Sequence, residues 1–183
     1  MATISGDSTL LEVAAIVSAA LEKAGLKSVL SGGAAISIYT ENRYESVDLD
    51  FVSSVAIHDL ARILEPLGFE RGAKGRARYF EHPSCNWYVE FPPEPVAVGS
   101  RIIGPDEWHA IDTPSGRIQT LSPTQMIMDR LAAYFRWNDQ QSWDQALMVA
   151  RSQVIDWEDL RVWAAEEGAP LEELDRFERL ANG

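Results

Sequence analysis

An acidic strand pattern at residues 47–52 constrains the fold of this chain more than any other feature. The segment reads Val-Asp-Leu-Asp-Phe-Val, so acidic and apolar side chains alternate. If it is a strand, its period of two places Asp48 and Asp50 on one face, about 7 Å apart along the chain. Two ionised carboxylates on one face repel each other, and a divalent cation between them removes that cost. The pattern therefore predicts a Mg²⁺ site or, as the simpler alternative, a solvated strand edge.

A pair of glycines precedes this strand and is suited to binding an anion. Ser31-Gly32-Gly33 follows the apolar Ser28-Val29-Leu30 and precedes the helix-prone Ala34-Ala35-Ile36. A turn of this kind between a strand and a helix presents backbone N–H groups to a phosphate. The alternative is an ordinary turn, because a lone glycine pair by itself indicates no more than that.

Three further positions are candidates for the same site. Glu90 lies in a second alternating segment, residues 87–91, which we predict as another strand with its acid opposite its apolar neighbours. Arg43 lies between the short helix and the acidic strand, where it either reaches a bound phosphate or is a solvated loop arginine. Lys74 belongs to residues 71–78, a predicted hairpin tip with four of the chain's sixteen bases. That basic tip serves either solubility or contact with a triphosphate or an RNA acceptor.

The order of these motifs resembles the polymerase-beta-type nucleotidyltransferase superfamily. Within it the chain is most similar to the AbiEii-like and minimal nucleotidyltransferase groups, which are often found in toxin–antitoxin pairs. The resemblance rests on Gly32-Gly33, the following helix and Asp-Leu-Asp-Phe at residues 48–51. It implies an α+β fold, with a nucleotidyltransferase-like mixed sheet flanked by helices. The site residues that it implies are Ser31, Gly32 and Gly33 for the triphosphate, and Asp48, Asp50 and Glu90 for two Mg²⁺ ions, with Mn²⁺ as a substitute.

A later segment extends the resemblance into the C-terminal part. Asp129-Arg130-Leu131, followed by Trp137-Asn138-Asp139, resembles a helical segment of AbiEii-like proteins that carries a basic residue near the nucleotide. Relatives often place a lysine there, whereas this chain has Met128 and Arg130, so Arg130 is the candidate phosphate-binding base. Asp139 is also suited to capping the next helix.

The reaction that the resemblance implies is metal-dependent transfer of a nucleoside monophosphate from a nucleoside triphosphate to an acceptor hydroxyl. The acceptor is expected to be a tRNA end or a protein, with a cognate toxin or antitoxin as a partner. One alternative is a nucleotide-binding protein of the same fold that has no turnover and acts by binding a partner. A second makes the acids structural and the helical half a partner-binding surface.

Composition limits these interpretations. The net charge of −12 disfavours general DNA binding, because phosphate contacts need a basic face. The sequence contains no stretch long and apolar enough for a membrane span and no signal-peptide pattern at its N-terminus. Cys85 is the single cysteine, which excludes a disulfide within the chain. We therefore expect a cytoplasmic protein.

The C-terminal part differs in pattern from what precedes it. From Thr124 onward apolar residues recur with helical spacing, and Ser122-Pro123 is typical of a helix start. We therefore predict a nucleotidyltransferase-like domain over residues 1–121 and a C-terminal helical bundle over residues 122–183.

Overall fold

The computed structural model describes residues 3–72 and 78–183 and confirms the predicted α+β class. A mixed seven-stranded sheet is accompanied by helices, and the C-terminal part is helical. The helices are α1 (Leu10–Lys23), α2 (Gly32–Tyr39), α3 (Ile57–Leu64), α4 (Pro123–Trp137), α5 (Gln140–Ser152), α6 (Trp157–Glu166) and α7 (Leu171–Asn182). The strands are β1 (Val29–Ser31), β2 (Asp48–Val52), β3 (Glu70–Arg71), β4 (Tyr79–Glu81), β5 (Tyr88–Glu90), β6 (Ala97–Val98), β7 (Arg101–Ile102), β8 (His109–Thr113) and β9 (Gly116–Thr120).

The chain forms two compact units. The first contains the seven-stranded sheet with α1 and α3, and the second contains the β6–β7 hairpin and α4 to α7. The first unit comprises Met1–Ala34, Glu45–Glu94 and Trp108–Thr120, and the second comprises Ala35–Tyr44, Pro95–Glu107 and Leu121–Gly183. The division into domains at residue 121 stays a prediction.

The strand order in the large sheet is β3-β4-β5-β2-β1-β9-β8. β2 is parallel to β5 and antiparallel to β1, which is in turn parallel to β9. Leu49, Phe51 and Val89 are completely buried, as the alternation in their segments predicts. The aromatic rings of Phe51 and Phe91 stack with centroids 6.2 Å apart. This apolar face fixes the two central strands, so their opposite face is held on a rigid base.

Helix starts in both units carry side-chain caps. Thr9 caps α1 and forms a capping box with Glu12, in which the carboxylate accepts the Thr9 N–H at 2.8 Å. These hydrogen bonds lower the pKa of Glu12. Ser122 caps α4 through an equivalent box with Gln125, and Pro123 occupies the first helical position. Asp139 caps α5, as predicted, by accepting the Gln141 N–H at 3.1 Å.

The second unit has its own core. Trp143 and Trp163 are almost fully buried, in agreement with the helical spacing of their neighbours, and Phe177 packs edge-on against Trp143. Glu167 closes the β6–β7 turn by accepting the Ser100 N–H at 2.5 Å and an Arg136 N–H at 2.7 Å. The hydrogen bond from the Ser100 side chain is the largest cause of a lowered pKa for Glu167. None of the helices over the described residues has the length and apolarity needed to cross a membrane.

Arg78 has a structural role that the sequence does not indicate. Its Nε donates to the Phe91 carbonyl at 2.6 Å, its Nη1 to the Val55 carbonyl at 2.8 Å and its Nη2 to the Ser53 carbonyl at 2.6 Å. Interpreting all four bases of the 71–78 patch as available for phosphate is therefore wrong for Arg78, because backbone oxygens satisfy its guanidinium. Arg78 joins the segments that follow β2 and β5.

We expect Arg78→Met to lower the free energy of unfolding by about 3 kcal/mol, since it leaves three part-buried carbonyls without their charged donor. Urea denaturation measures this loss. The control is Arg71→Met, at an exposed position in β3 that pairs with Phe80 of β4, and its expected change is within about 0.5 kcal/mol. Equal effects of the two substitutions would contradict the structural role of Arg78.

Candidate functional site

The three predicted acids lie on one face of the sheet. β2 and β5 are parallel neighbours, with Asp50 beside Glu90 and Asp48 beside Tyr88. Backbones of neighbouring strands are about 4.8 Å apart, so the side chains of a register pair are adjacent. All three acids are half-buried, whereas Leu49 on the opposite face is fully buried. The strand alternation read from the sequence therefore holds, and the parallel register brings Glu90 next to Asp50.

The glycine pair directly adjoins these acids. Ser31, the last residue of β1, is the register partner of Asp50 on the other side of β2. The sequence predicts a turn at the glycines and a helix from Ala34, but α2 begins at Gly32 itself. Correcting that boundary places the backbone N–H groups of Gly32 and Gly33 in the first turn of α2, at the positive end of the helix dipole.

Two independent features require glycine at position 32. Its φ is +64°, in the left-handed region that other residues enter at a cost. A Cβ at this position would overlap a carboxylate oxygen of Asp50 and lie 3.3 Å from its Cγ. The carboxylate of Asp50 therefore packs against the bare Cα of Gly32, at the start of a helix.

The register of the strands places a row of polar residues across the sheet at this point. Ser31, Asp50 and Glu90 are consecutive register partners across β1, β2 and β5. The row continues to Tyr79 on β4, which is the antiparallel partner of Glu90. The Ser31 hydroxyl also approaches the Asp50 carbonyl at 3.5 Å. A ligand on this face would meet a hydroxyl, two carboxylates and a helix start within three adjacent strands.

Asp48 lies at the start of β2 and is held by its own neighbour in sequence. The hydroxyl of Ser46 donates to Asp48 Oδ1 at 2.5 Å. Ser46 is buried, with 6% of its surface exposed. Sequence analysis did not select Ser46, and a serine two residues before an aspartate is too common to have signalled this contact.

The donor set fits a hard divalent cation held jointly with a substrate. Over residues 3–72 and 78–183, no three His, Cys, Asp or Glu side chains converge closely enough to hold a metal ion by themselves. Mg²⁺ commonly binds through one or two carboxylates, while water and substrate phosphates complete its shell. Asp50 and Glu90, adjacent on one face and beside the N-terminus of α2, are a carboxylate pair of that kind.

The basic candidates lie in different parts of the chain. Arg43 is exposed in the segment after α2, and its role stays a prediction. Arg130, in the second unit, pairs with the carboxylate of Asp129 and donates to Gln145 Oε1 at 3.3 Å. Its role as a phosphate-binding base likewise stays a prediction. Lys74 lies outside the described residues.

Comparisons with known proteins agree on the fold. No model of a known protein family matches the sequence, and a search of curated proteins found no significant match. A nucleotidyltransferase-like antigenic protein from Paracoccidioides brasiliensis superposes with a TM-score of 0.63 at 11% identity, covering 97% of this chain and 94% of that one. The antibiotic-resistance factor ANT(2'')-Ia gives a TM-score of 0.52 at 14% identity, over 93% of this chain and 96% of that one. The lincosamide antibiotic adenylyltransferase LnuA, solved with lincomycin bound, gives 0.50 at 13% identity, over 80% and 99%.

These similarities define the class of fold. The structural neighbours are nucleotidyltransferase-like proteins, so the chain has a nucleotidyltransferase-like α+β fold. At 11 to 14% identity the likeness extends to the architecture and not to the substrates.

Proposed function

We propose that this protein is a metal-dependent nucleotidyltransferase, which moves a nucleoside monophosphate from a nucleoside triphosphate to an acceptor hydroxyl. The observation that carries the proposal is the packing of Gly32 against Asp50, with Glu90 as the next carboxylate in the row. A helix start that is suited to an anion and a carboxylate pair that is suited to a cation lie side by side, and both would contact a metal-bound triphosphate. The shared fold of the neighbours supports the same reaction class.

The proposed roles follow from the chemistry of each group. The backbone N–H groups of Gly32 and Gly33 would donate to the β- and γ-phosphates, with Ser31 contributing its hydroxyl. Asp48, Asp50 and Glu90 would hold the Mg²⁺ ions. Bound Mg²⁺ offsets the charge of the phosphates and lowers the pKa of the acceptor hydroxyl.

The protein's own contribution is positioning. Leu49 and Val89 are fully buried, so they anchor the strands that carry the three acids. The absence of a side chain at Gly32 leaves room for the Asp50 carboxylate to lie against the start of α2. Groups held rigidly in this way need little reorganisation during the reaction, which is the main source of electrostatic catalysis.

The sequence resemblance and the structural neighbours suggest different acceptors. The sequence resemblance suggests a tRNA end or a protein hydroxyl. The neighbours suggest a small hydroxylated molecule, since one was solved with lincomycin bound and another structure of ANT(2'')-Ia contains adenylyl-2''-tobramycin. The net charge of −12 favours a cationic or neutral acceptor over a polyanion, because it repels nucleic acid at long range.

Membership of the AbiEii-like group and a toxin–antitoxin role remain part of this proposal. They rest on the glycine pair, on the Asp-Leu-Asp-Phe segment and on the helical segment around Arg130. A cytoplasmic location rests on the sequence alone. Copurification of a small regulator encoded beside this gene would support the toxin–antitoxin role.

A transfer assay tests the proposed reaction. The purified protein is incubated with each of the four α-³²P-labelled nucleoside triphosphates and with Mg²⁺ or Mn²⁺. Parallel reactions contain total tRNA, cell lysate, or a panel of aminoglycosides and lincosamides. We expect label to enter one acceptor class, with pyrophosphate released in equal amount.

The outcomes separate the proposal from its main alternative. If calorimetry detects binding of nucleotide and Mg²⁺ but no reaction releases pyrophosphate, the protein is a nucleotide-binding member of the fold without turnover. If neither binding nor transfer is detected, the site assignment fails as well.

A further inference from the structure

Ser46 contacts both the side chain and the backbone of Asp48. Its Oγ is 2.5 Å from Asp48 Oδ1 and 3.2 Å from the Asp48 carbonyl oxygen. The Asp48 N–H in turn lies 3.4 Å from the same Oγ. The buried hydroxyl therefore contacts both the backbone and the side chain of Asp48.

The hydroxyl has only one proton, so the two Asp48 oxygens within its reach are not equivalent as acceptors. The 2.5 Å distance to Oδ1 is in the short range of hydrogen bonds from a hydroxyl to a charged carboxylate. The 3.2 Å distance to the carbonyl oxygen is beyond the usual hydroxyl range. The proton therefore belongs to the bond with Oδ1, and the second carboxylate oxygen, Oδ2, takes no part in it.

This bond restricts the carboxylate of a residue at a strand end. An aspartate there otherwise rotates about two side-chain torsions, and a ligand that needs one orientation must overcome that freedom. The hydrogen bond to Oδ1 removes this rotational freedom from Asp48. The constrained residue is on the same strand face as Asp50 and two positions before it.

We infer that Ser46 is a positioning residue, which holds Asp48 Oδ1 so that Oδ2 is oriented to bind a divalent cation with the nucleotide. This inference rests on the proposed function and adds a residue to its site. Groups that hydrogen-bond metal ligands typically change metal affinity by about 10- to 100-fold when they are removed. Ser46 is the group that hydrogen-bonds the proposed ligand Asp48.

The test measures metal binding directly, without turnover. Electron paramagnetic resonance follows the loss of free Mn²⁺ as protein is added in the presence of a non-hydrolysable α,β-methylene nucleoside triphosphate. We expect Ser46→Ala to weaken Mn²⁺ binding about 10-fold, and Ser46→Thr, which keeps a hydroxyl, to restore most of it. The concentration of Mg²⁺ for half-maximal transfer shifts in parallel, whereas kcat at saturating Mg²⁺ changes little.

A second buried serine provides the matched control. Ser53 follows the other end of β2, is 1% exposed, and its Oγ accepts the Val55 N–H at 3.4 Å rather than contacting a carboxylate. Ser53→Ala is expected to leave Mn²⁺ affinity unchanged. If Ser46→Ala does not fold, Ser46→Cys replaces it, because a thiol has nearly the same shape and is a much weaker donor.

The two proposals fail in different ways. If the unsubstituted protein binds Mn²⁺ with nucleotide and Ser46→Ala binds it equally well, the role of Ser46 is overturned and the proposed function stands. If the unsubstituted protein takes up no Mn²⁺ with nucleotide, the proposed function is overturned. A loss of Mn²⁺ affinity that Ser46→Thr does not restore would also overturn the role given to the hydroxyl.

Discussion

Asp50→Asn is expected to reduce nucleotidyl transfer by about 1,000-fold, which corresponds to roughly 4 kcal/mol of transition-state stabilisation. The physical reason is the place of Asp50 in the row. It is the register partner of Ser31 on one side and of Glu90 on the other, and it packs against Gly32. The amide keeps the shape of the side chain but removes its charge, so a cation on this face loses its central ligand.

Measuring the free energy of unfolding distinguishes a loss of catalysis from a loss of folded protein. Replacing one of two adjacent carboxylates removes a repulsion, and we expect the free energy of unfolding to change by less than about 1 kcal/mol. The control is Asp7→Asn, at an exposed position before α1, which should leave both transfer and stability unchanged. Full activity of Asp50→Asn at saturating Mg²⁺ would contradict the proposed site.

Gly32→Ala is expected to affect both stability and activity. The φ of +64° costs an alanine about 1–2 kcal/mol, and the contact between its Cβ and the Asp50 carboxylate adds to that cost. We expect a total loss of about 3 kcal/mol in the free energy of unfolding. Transfer should fall about 100-fold, because the carboxylate must move by a distance of the order of 1 Å.

Gly25→Ala isolates the backbone contribution. Gly25 follows α1 with a φ of +73°, and nothing lies within 4 Å of a Cβ built there. Gly25→Ala should therefore lower the free energy of unfolding only by the cost of the backbone strain, and it should leave nucleotidyl transfer unchanged. A double-mutant cycle adds a second check: in an Asp50→Ala background, Gly32→Ala should cost less, because its steric partner is gone. Equal stability losses for the two glycines, with full activity in both, would contradict the packing described for Gly32.

Local patterns in the sequence predicted much of this fold. The alternation at residues 47–52 identified β2 and its acidic face, because side chains on a strand change face at every residue. Ser122-Pro123 was recognised as a helix start because capping depends only on near neighbours in the sequence. The helical spacing of apolar residues after residue 122 predicted the C-terminal helices, because this pattern also depends only on residues that are close in sequence.

Non-local contacts were not predictable in this way. The parallel pairing of β2 with β5 joins segments about forty residues apart, and neither segment specifies its partner. Arg78 was grouped with a basic patch because its three carbonyl partners come together only in the folded chain. The start of α2 at Gly32 was placed two residues late because glycine favours a turn in isolation. In the folded chain, Gly32 packs against Asp50 at the start of the helix, a contact that the local sequence does not reveal.

The most direct test of the account is an anomalous difference map from crystals grown with Mn²⁺ and an α,β-methylene nucleoside triphosphate. The account predicts a manganese peak about 2.1 Å from carboxylate oxygens of Asp50 and Glu90, with the triphosphate at the N-terminus of α2. A nucleotide bound elsewhere, or a Glu90 carboxylate directed away from the metal, would contradict it.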